Sequence, residues 1–232
     1  MTLTVWAIDG VTPVVDPTAY VHPTAVLIGD VIVGPDCYIG PAACLRGDFG
    51  RLEIRAGANV QDTCILHAYP GNETVVEEEG HIGHGAILHG CTVKRNALVG
   101  MNAVVNDNAV IGESAVVAAL AFVKADMVVP PRTLVAGVPA RVLRLLTADE
   151  LAWKVEGTAS YQELTRRSFA SMRATAPLAA PEPDRRRIEL PEFEWTRAGR
   201  IAGALLALVA LGALLALGLD QPVRSIVIDG PF

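Results

Sequence analysis

The chain has no surplus of basic residues: 19 lysines and arginines stand against 25 aspartates and glutamates, a formal net charge of −6. A phosphate-binding face needs the opposite balance, so no nucleic-acid partner is expected. The first ten residues carry neither a basic start nor an apolar core, so no secretory or organellar signal is visible and the expected compartment is the cytoplasm. Cysteine is scarce as well. Cys37, Cys44, Cys64 and Cys91 show no CxxC spacing, which argues against a disulfide framework or thiolate metal site and for reduced thiols used for their size. Histidine numbers five, yet four of the five, His67, His81, His84 and His89, fall between Gln61 and Gly90.

What is abundant is apolar: 51% of the 232 residues are hydrophobic, enough for one substantial domain plus an appendage. From Val21 onward the apolar residues recur every six positions, at Val21, Leu27, Val33, Ile39 and Leu45, with small or β-branched residues four positions later at Ala25, Val31, Cys37 and Ala43. The register breaks at residues 47–52, resumes at Ile54, Val60 and Leu66, and breaks again at residues 68–80. After Ile82 it runs through Ile87, Val93, Val99, Val105, Ile111, Val117 and Val123. A period of six fits neither an amphipathic helix nor a two-faced strand. It fits a triangular parallel β-helix, three strand-and-turn units to a coil, over residues 1–140 and roughly six coils. Glycines after the apolar position, at Gly34, Gly40, Gly83, Gly100 and Gly112, are expected to supply unusual backbone angles at the corners.

Residues 141–174 read as a helical segment that covers the solenoid. Thr147 and Glu150 form a capping box, a first helix runs to about Glu156, Gly157 interrupts it, and a second runs from Ala159 to about Arg173. Leu151, Trp153, Tyr161, Leu164 and Phe169 are its expected docking residues. Residues 175–200, with four prolines and the triplet Arg185, Arg186 and Arg187, read as a linker. Residues 201–219 hold no charge and no proline, long enough for a transmembrane or membrane-embedded helix. The arginines preceding it favour a cytoplasmic β-helix, with the tail 220–232 across the membrane.

Histidines gathered from separate turns of a rigid scaffold offer neutral nitrogen ligands, and the neighbouring Gln61 and Asp62 offer groups that orient a water. That is the inventory of an open, three-ligand metal site.

The stretches LRGDFGRL, GANVQD, HIGHGAILHGC, ALVGMNAVV, AGVPAR and ELAWK resemble the γ-class carbonic anhydrase-like family, and more closely its branch containing the proteins PaaY and CaiE. The resemblance covers about Val5 to Leu190. It implies an all-β fold, a left-handed parallel β-helix of hexapeptide repeats with C-terminal α-helices, and a homotrimer. It also implies zinc, or another divalent metal such as iron or cobalt, at a seam between subunits. Carried over by position, the ligands are His67, His84 and His89, with His84 coming from the adjacent subunit, while His81 is structural. Arg46 and Asp48 match an intersubunit ion pair. Gln61 matches a residue that positions the activated water, and Asp62 is expected to pair with Arg46 across the interface between subunits.

The family's proton-shuttling glutamates have no clear counterpart among Glu73, Glu77, Glu78 and Glu79. The resemblance therefore favours a metal-dependent hydrolase in which hydroxide generated at the metal attacks an acyl-CoA thioester. The alternatives are hydration of carbon dioxide to bicarbonate, a catalytically silent trimeric scaffold, and a metal-free hexapeptide acyltransferase with a histidine base. Tyr161 is an expected packing residue and a candidate donor to the site.

Overall fold

The computed structural model describes residues 5–188, most of them in a left-handed parallel β-helix of about seven coils. Each coil lays one short strand on each of three faces. The first face begins at Val5–Trp6 and continues through the start of the long strands Val26–Val33 and Cys44–Ile54 to Ile65–His67, Ile87–His89, Val104–Val105 and Phe122–Val123. The second holds Val14–Val15, the far halves of the same long strands, Thr74–Val76, Thr92–Val93, Val110–Ile111 and Val128–Val129. The third runs from Tyr20–Val21 to Thr133–Ala136. The two long strands turn the corner without a break and so join the first two faces into one 12-stranded sheet. The solenoid exceeds the expected six coils because Val5–Trp6 and Val14–Val15 extend it ahead of the first periodic residue.

Every second side chain along a short strand points inward, and the inward columns make a single core of Leu27, Leu45, Leu66, Leu88, Val105 and their counterparts on the other faces. The expected register fails at one point. Leu88 is fully buried and Ile87 is exposed. The corner after this strand is a residue short, with Gly90 at φ +55°. The slip matters, because it places His89 beside His67.

The corners also differ from expectation. Left-handed φ falls at Asn96, Asn102, Asn108, Ser114, Leu120, Asp126 and Arg132, one every six residues, three of them asparagines, the side chain that best tolerates this region. Gly40 and Gly100 have ordinary φ; they are small because a Cβ would lie 2.8 Å and 2.5 Å from backbone nitrogens of the next coil.

Residues 141–145 are not helical: Arg141–Leu145 pairs antiparallel with Thr133–Ala136 and closes the end of the third face. The capping box is present, with Thr147 accepting from the Glu150 N–H and Glu150 accepting from the Thr147 N–H. One continuous helix, Ala148–Ser171, then lies along the third face. Gly157 does not break it. Packing on the prism offsets the roughly 1 kcal/mol that a mid-helix glycine costs.

The buried stripe of this helix is polar: Glu150, Lys154, Thr158, Thr165 and Ser168. Lys154 is fully buried and donates to Asn96 Oδ1 (2.8 Å) and Thr158 Oγ1 (2.6 Å), and burial pushes its pKa down to about 7. Of the expected docking residues, Tyr161 packs edge-on against Tyr38 and His81, which settles its packing role, whereas Phe169 stays largely exposed. Among the described residues no helix is long and apolar enough to cross a membrane, and the segment 201–219 lies outside them.

Candidate metal centre

Three neighbouring coils of the first face present the outward residues Arg46, His67 and His89 in one column, and Asp48 and Asp107 flank it. His67 Nδ1 lies 3.3 Å from His89 Nε2. The opposite nitrogen of each ring meets a carboxylate: His67 Nε2 is 2.8 Å from Asp48 Oδ1, and His89 Nδ1 is 2.5 Å from Asp107 Oδ1. Arg46 Nη1 donates to Asp48 Oδ2 at 2.9 Å, and Arg46 Nη2 lies 3.2 Å from His67 Nε2. Nε2 cannot both donate to Asp48 and accept from Arg46. The shorter contact to a charged acceptor decides, so His67 carries its proton on Nε2 and His89 on Nδ1. Burial works against ionisation of Asp48, but its hydrogen bond to His67 and the Arg46 charge hold its pKa below the usual value.

The two nitrogens left facing one another then both carry lone pairs. Two tetrahedral zinc ligands at about 2.0–2.1 Å from the metal stand about 3.3–3.4 Å apart, which matches the observed separation. His67 and His89 therefore fit two positions of a metal site.

His84 is elsewhere. It sits at the corner between the third and first faces, exposed, with Nδ1 2.7 Å from Asp62 Oδ2. It follows the same rule, one ring nitrogen held by a carboxylate and the other open. His81 breaks the rule. Its nitrogens face the amides of Asn59 (3.2 Å) and Gln61 (2.7 Å), its ring packs edge-on to Tyr161, and burial pushes its pKa down to about 3. Among the described residues of one chain, no three histidine, cysteine or acidic side chains converge to hold a metal.

Within one chain Asp62 pairs with His84 and Arg46 pairs with Asp48, whereas the expected pairing of Asp62 with Arg46 is a contact between subunits. Buried Gln61 is not beside the His67 and His89 pair; its Nε2 bonds His81 and Asn59 Oδ1. Glu77 is held by Lys94 and Arg55, and Glu79 lies near Arg95. Asp107 was missed; it stands 18 residues beyond His89 on a coil whose strand register is shortened to 17, one position past the residue in register with His89. Phe49 and Tyr69 were missed too. Their rings flank His67 and His89 at centroid distances of 5.4 and 6.5 Å, and no periodic signal marks them.

The architecture and these side chains define a hexapeptide-repeat protein with a histidine and carboxylate cluster on one face of its prism. No protein-family model matches the chain. It is 57% identical over 184 residues to the carnitine operon protein CaiE of Citrobacter koseri, covering 79% of this chain and 93% of that protein. With CaiE of Escherichia coli O157:H7 it shares 56% identity over 79% of this chain and 94% of the relative. The chain belongs to the CaiE family.

Among solved structures, a putative acetyltransferase from Bacillus cereus superimposes with a TM-score of 0.70 at 33% identity, covering 71% of this chain and 96% of its own. A hexapeptide transferase family protein from Anaplasma phagocytophilum gives 0.68 at 36%, covering 71% and 97%.

Proposed function

We propose that the protein is a metal-dependent hydrolase of acyl-CoA thioesters, working as a homotrimer whose site is shared between chains. The observation that carries the reading is the selective pairing of histidines. His67, His84 and His89 each have one ring nitrogen held by an aspartate and the other open, whereas His81 is tied up by amides. Carboxylate-oriented histidines are the usual metal ligands.

His84 lies on a different part of the surface from His67 and His89, so a complete set needs a second chain, and contact between two unlike patches closes into a ring. An outward apolar column of Val26, Cys44, Ile65, Ile87, Val104 and Phe122 runs beside the histidines and suits such a seam. Ile65 and Ile87 are exposed in the single chain.

A divalent cation, zinc or alternatively iron or cobalt, lowers the pKa of a water toward ~7 and so supplies a nucleophile at neutral pH. The aspartates fix each ligand's tautomer, and Arg46 clamps Asp48. Gln61 accompanies His84 on the second chain. With both amide hydrogens directed to His81 and Asn59, it offers its carbonyl oxygen to a water proton. Water adds to the thioester carbonyl, the C–S bond breaks, and the thiol leaves with a proton.

Phe49, Tyr69, Ile65 and Ile87 give the histidines an apolar surround that suits an acyl group and that carbon dioxide does not require. Glu77, held by Lys94 and Arg55, is not free to carry protons for carbon dioxide hydration. The test is complementation. His67→Ala and His84→Ala proteins should each lack metal and activity on acyl-CoAs, and mixing them should restore both in part. Absence of recovery in verified mixed trimers overturns the shared site, and metal-loaded protein active on carbon dioxide alone overturns the substrate.

A further inference from the structure

The ring of His81 closes a circuit of three side chains. Gln61 Nε2 lies 2.7 Å from His81 Nε2 and donates to Asn59 Oδ1 at 3.0 Å, and Asn59 Nδ2 lies 3.2 Å from His81 Nδ1. Asn59 is fully buried and Gln61 nearly so, and Tyr161 backs the ring, so bulk water does not relieve a mispaired contact. The three contacts cannot all be made at once. An amide offers N–H groups at one end and a carbonyl at the other, and a neutral imidazole offers one N–H and one lone pair. Asn59 and His81 each turn opposite ends to their two neighbours, whereas Gln61 turns a single atom to both. Round such a circuit donor meets acceptor at two contacts at best. An imidazolium would satisfy all three with both amides reversed, but burial first, and then the charges of Lys154 and His84, keep the ring neutral.

The mismatch falls at the longest contact, between Asn59 Nδ2 and His81 Nδ1, because 2.7 and 3.0 Å leave no room for two like groups. Gln61 then gives one N–H to the Nε2 lone pair and the other to Asn59, the ring proton sits on Nδ1, and Gln61 Oε1 is turned away from the ring. One other arrangement keeps the mismatch in the same place. It reverses all three groups, with the ring proton on Nε2 and the Gln61 NH2 group turned away. Asn59 alone does not separate the two, since turning both amides together preserves their mutual bond. The ring does, because Gln61 cannot turn unless His81 also changes tautomer. A buried contact left mispaired calls for a role, and here the same ring fixes which end of Gln61 is presented.

We propose that His81 is a positioning residue for the hydrolysis: its Nε2 lone pair holds the Gln61 amide so that Oε1, and not the NH2 group, faces the attacking water. The role in turnover rests on the hydrolase reading, whereas the polarity of the circuit does not. The two neutral tautomers of histidine differ in their ring nitrogen shifts. In full-length protein carrying 15N-labelled histidine, with the His81 signals assigned by their loss in His81→Phe, the ring should be neutral with its proton on Nδ1 from about pH 6 to 9. A proton on Nε2, or a charged ring, overturns the proposal.

Turnover supplies the second readout. His81→Phe, which keeps a ring but removes the lone pair, should lower kcat on acyl-CoAs about fivefold to tenfold, with KM and metal per subunit unchanged. In a Gln61→Ala background the same replacement should cost nothing further, because the ring acts through Gln61. Equal losses in both backgrounds would make His81 a packing residue and overturn the proposal, as would wild-type kcat in His81→Phe. Wild-type protein inert on every acyl-CoA overturns the hydrolase reading and with it the role in turnover, and the tautomer still decides the circuit.

Discussion

Replacing Asp107 tests the carboxylate rule at its least anticipated member. The Asp107 carboxylate accepts from His89 Nδ1 at 2.5 Å and so leaves Nε2 as the open nitrogen toward His67. Asp107→Ala frees the ring to rotate and to place its proton on either nitrogen. Removing such a partner typically lowers metal affinity about 10–100-fold, or roughly 1.4–2.7 kcal/mol. Asp107→Asn keeps an acceptor but loses the charge that about doubles the strength of the bond, so its loss should be smaller, up to about tenfold. Asp126 holds Asn108 on the next coil, and Asp126→Ala is the control that should leave affinity unchanged. Chelator competition with zinc, read against metal per subunit and circular dichroism, gives the affinities. An Asp107→Ala protein that keeps its fold and binds metal as tightly as the wild type refutes the reasoning.

His81→Ala should retain metal, because its amide-bound ring takes no part in the ligand set, and Gln61→Ala should retain metal while losing turnover; metal analysis beside an acyl-CoA assay checks both. Lys154 has a folded pKa near 7 against 10.5 in the free side chain, so between those values the unfolded chain binds more protons and stability rises with pH. That dependence is on the order of 5 kcal/mol in full. Urea unfolding from pH 7 to 8.5, above the range where His81 titrates and below that of the buried thiols, should show the slope in wild type and not in Lys154→Met; parallel profiles would contradict it. For residues 201–219 the expectation is a membrane anchor, so the full chain should stay in carbonate-washed membranes and a version stopped after Glu192 should not.

The six-residue period made the prism legible because a hexapeptide unit has local requirements, an inward apolar residue and a small one near the corner, that a linear sequence displays. The capping box at Thr147 is legible for the same reason. The docking face of the helix was not. Periodicity identifies apolar stripes, and here the buried stripe is Glu150, Lys154, Thr158, Thr165 and Ser168, whose burial is permitted by partners such as Arg144 and Asn96 that come from the prism. The one-residue slip at Leu88 was hidden for a related reason. Ile87 and Leu88 are equally apolar, and which one turns inward is decided by the short corner at Gly90.

The ligand candidates lay in the sequence as residue types and as a likeness to a family, whereas their grouping belonged to the tertiary structure. Coil length is the physical reason. His67 and His89 are 22 residues apart because a loop lengthens their coil, and the next coil is shortened to a register of 17, so that His89 meets Asp107, 18 residues on, and neighbours in space keep no fixed spacing in the chain. The sequence by itself determined a β-helix with a histidine-rich middle. Only the stacking of its coils set His67, His89, Asp48 and Asp107 on one face and turned His84 and Asp62 outward at the next corner, because adjacency in a solenoid is fixed by hydrogen bonds between coils and not by distance along the chain.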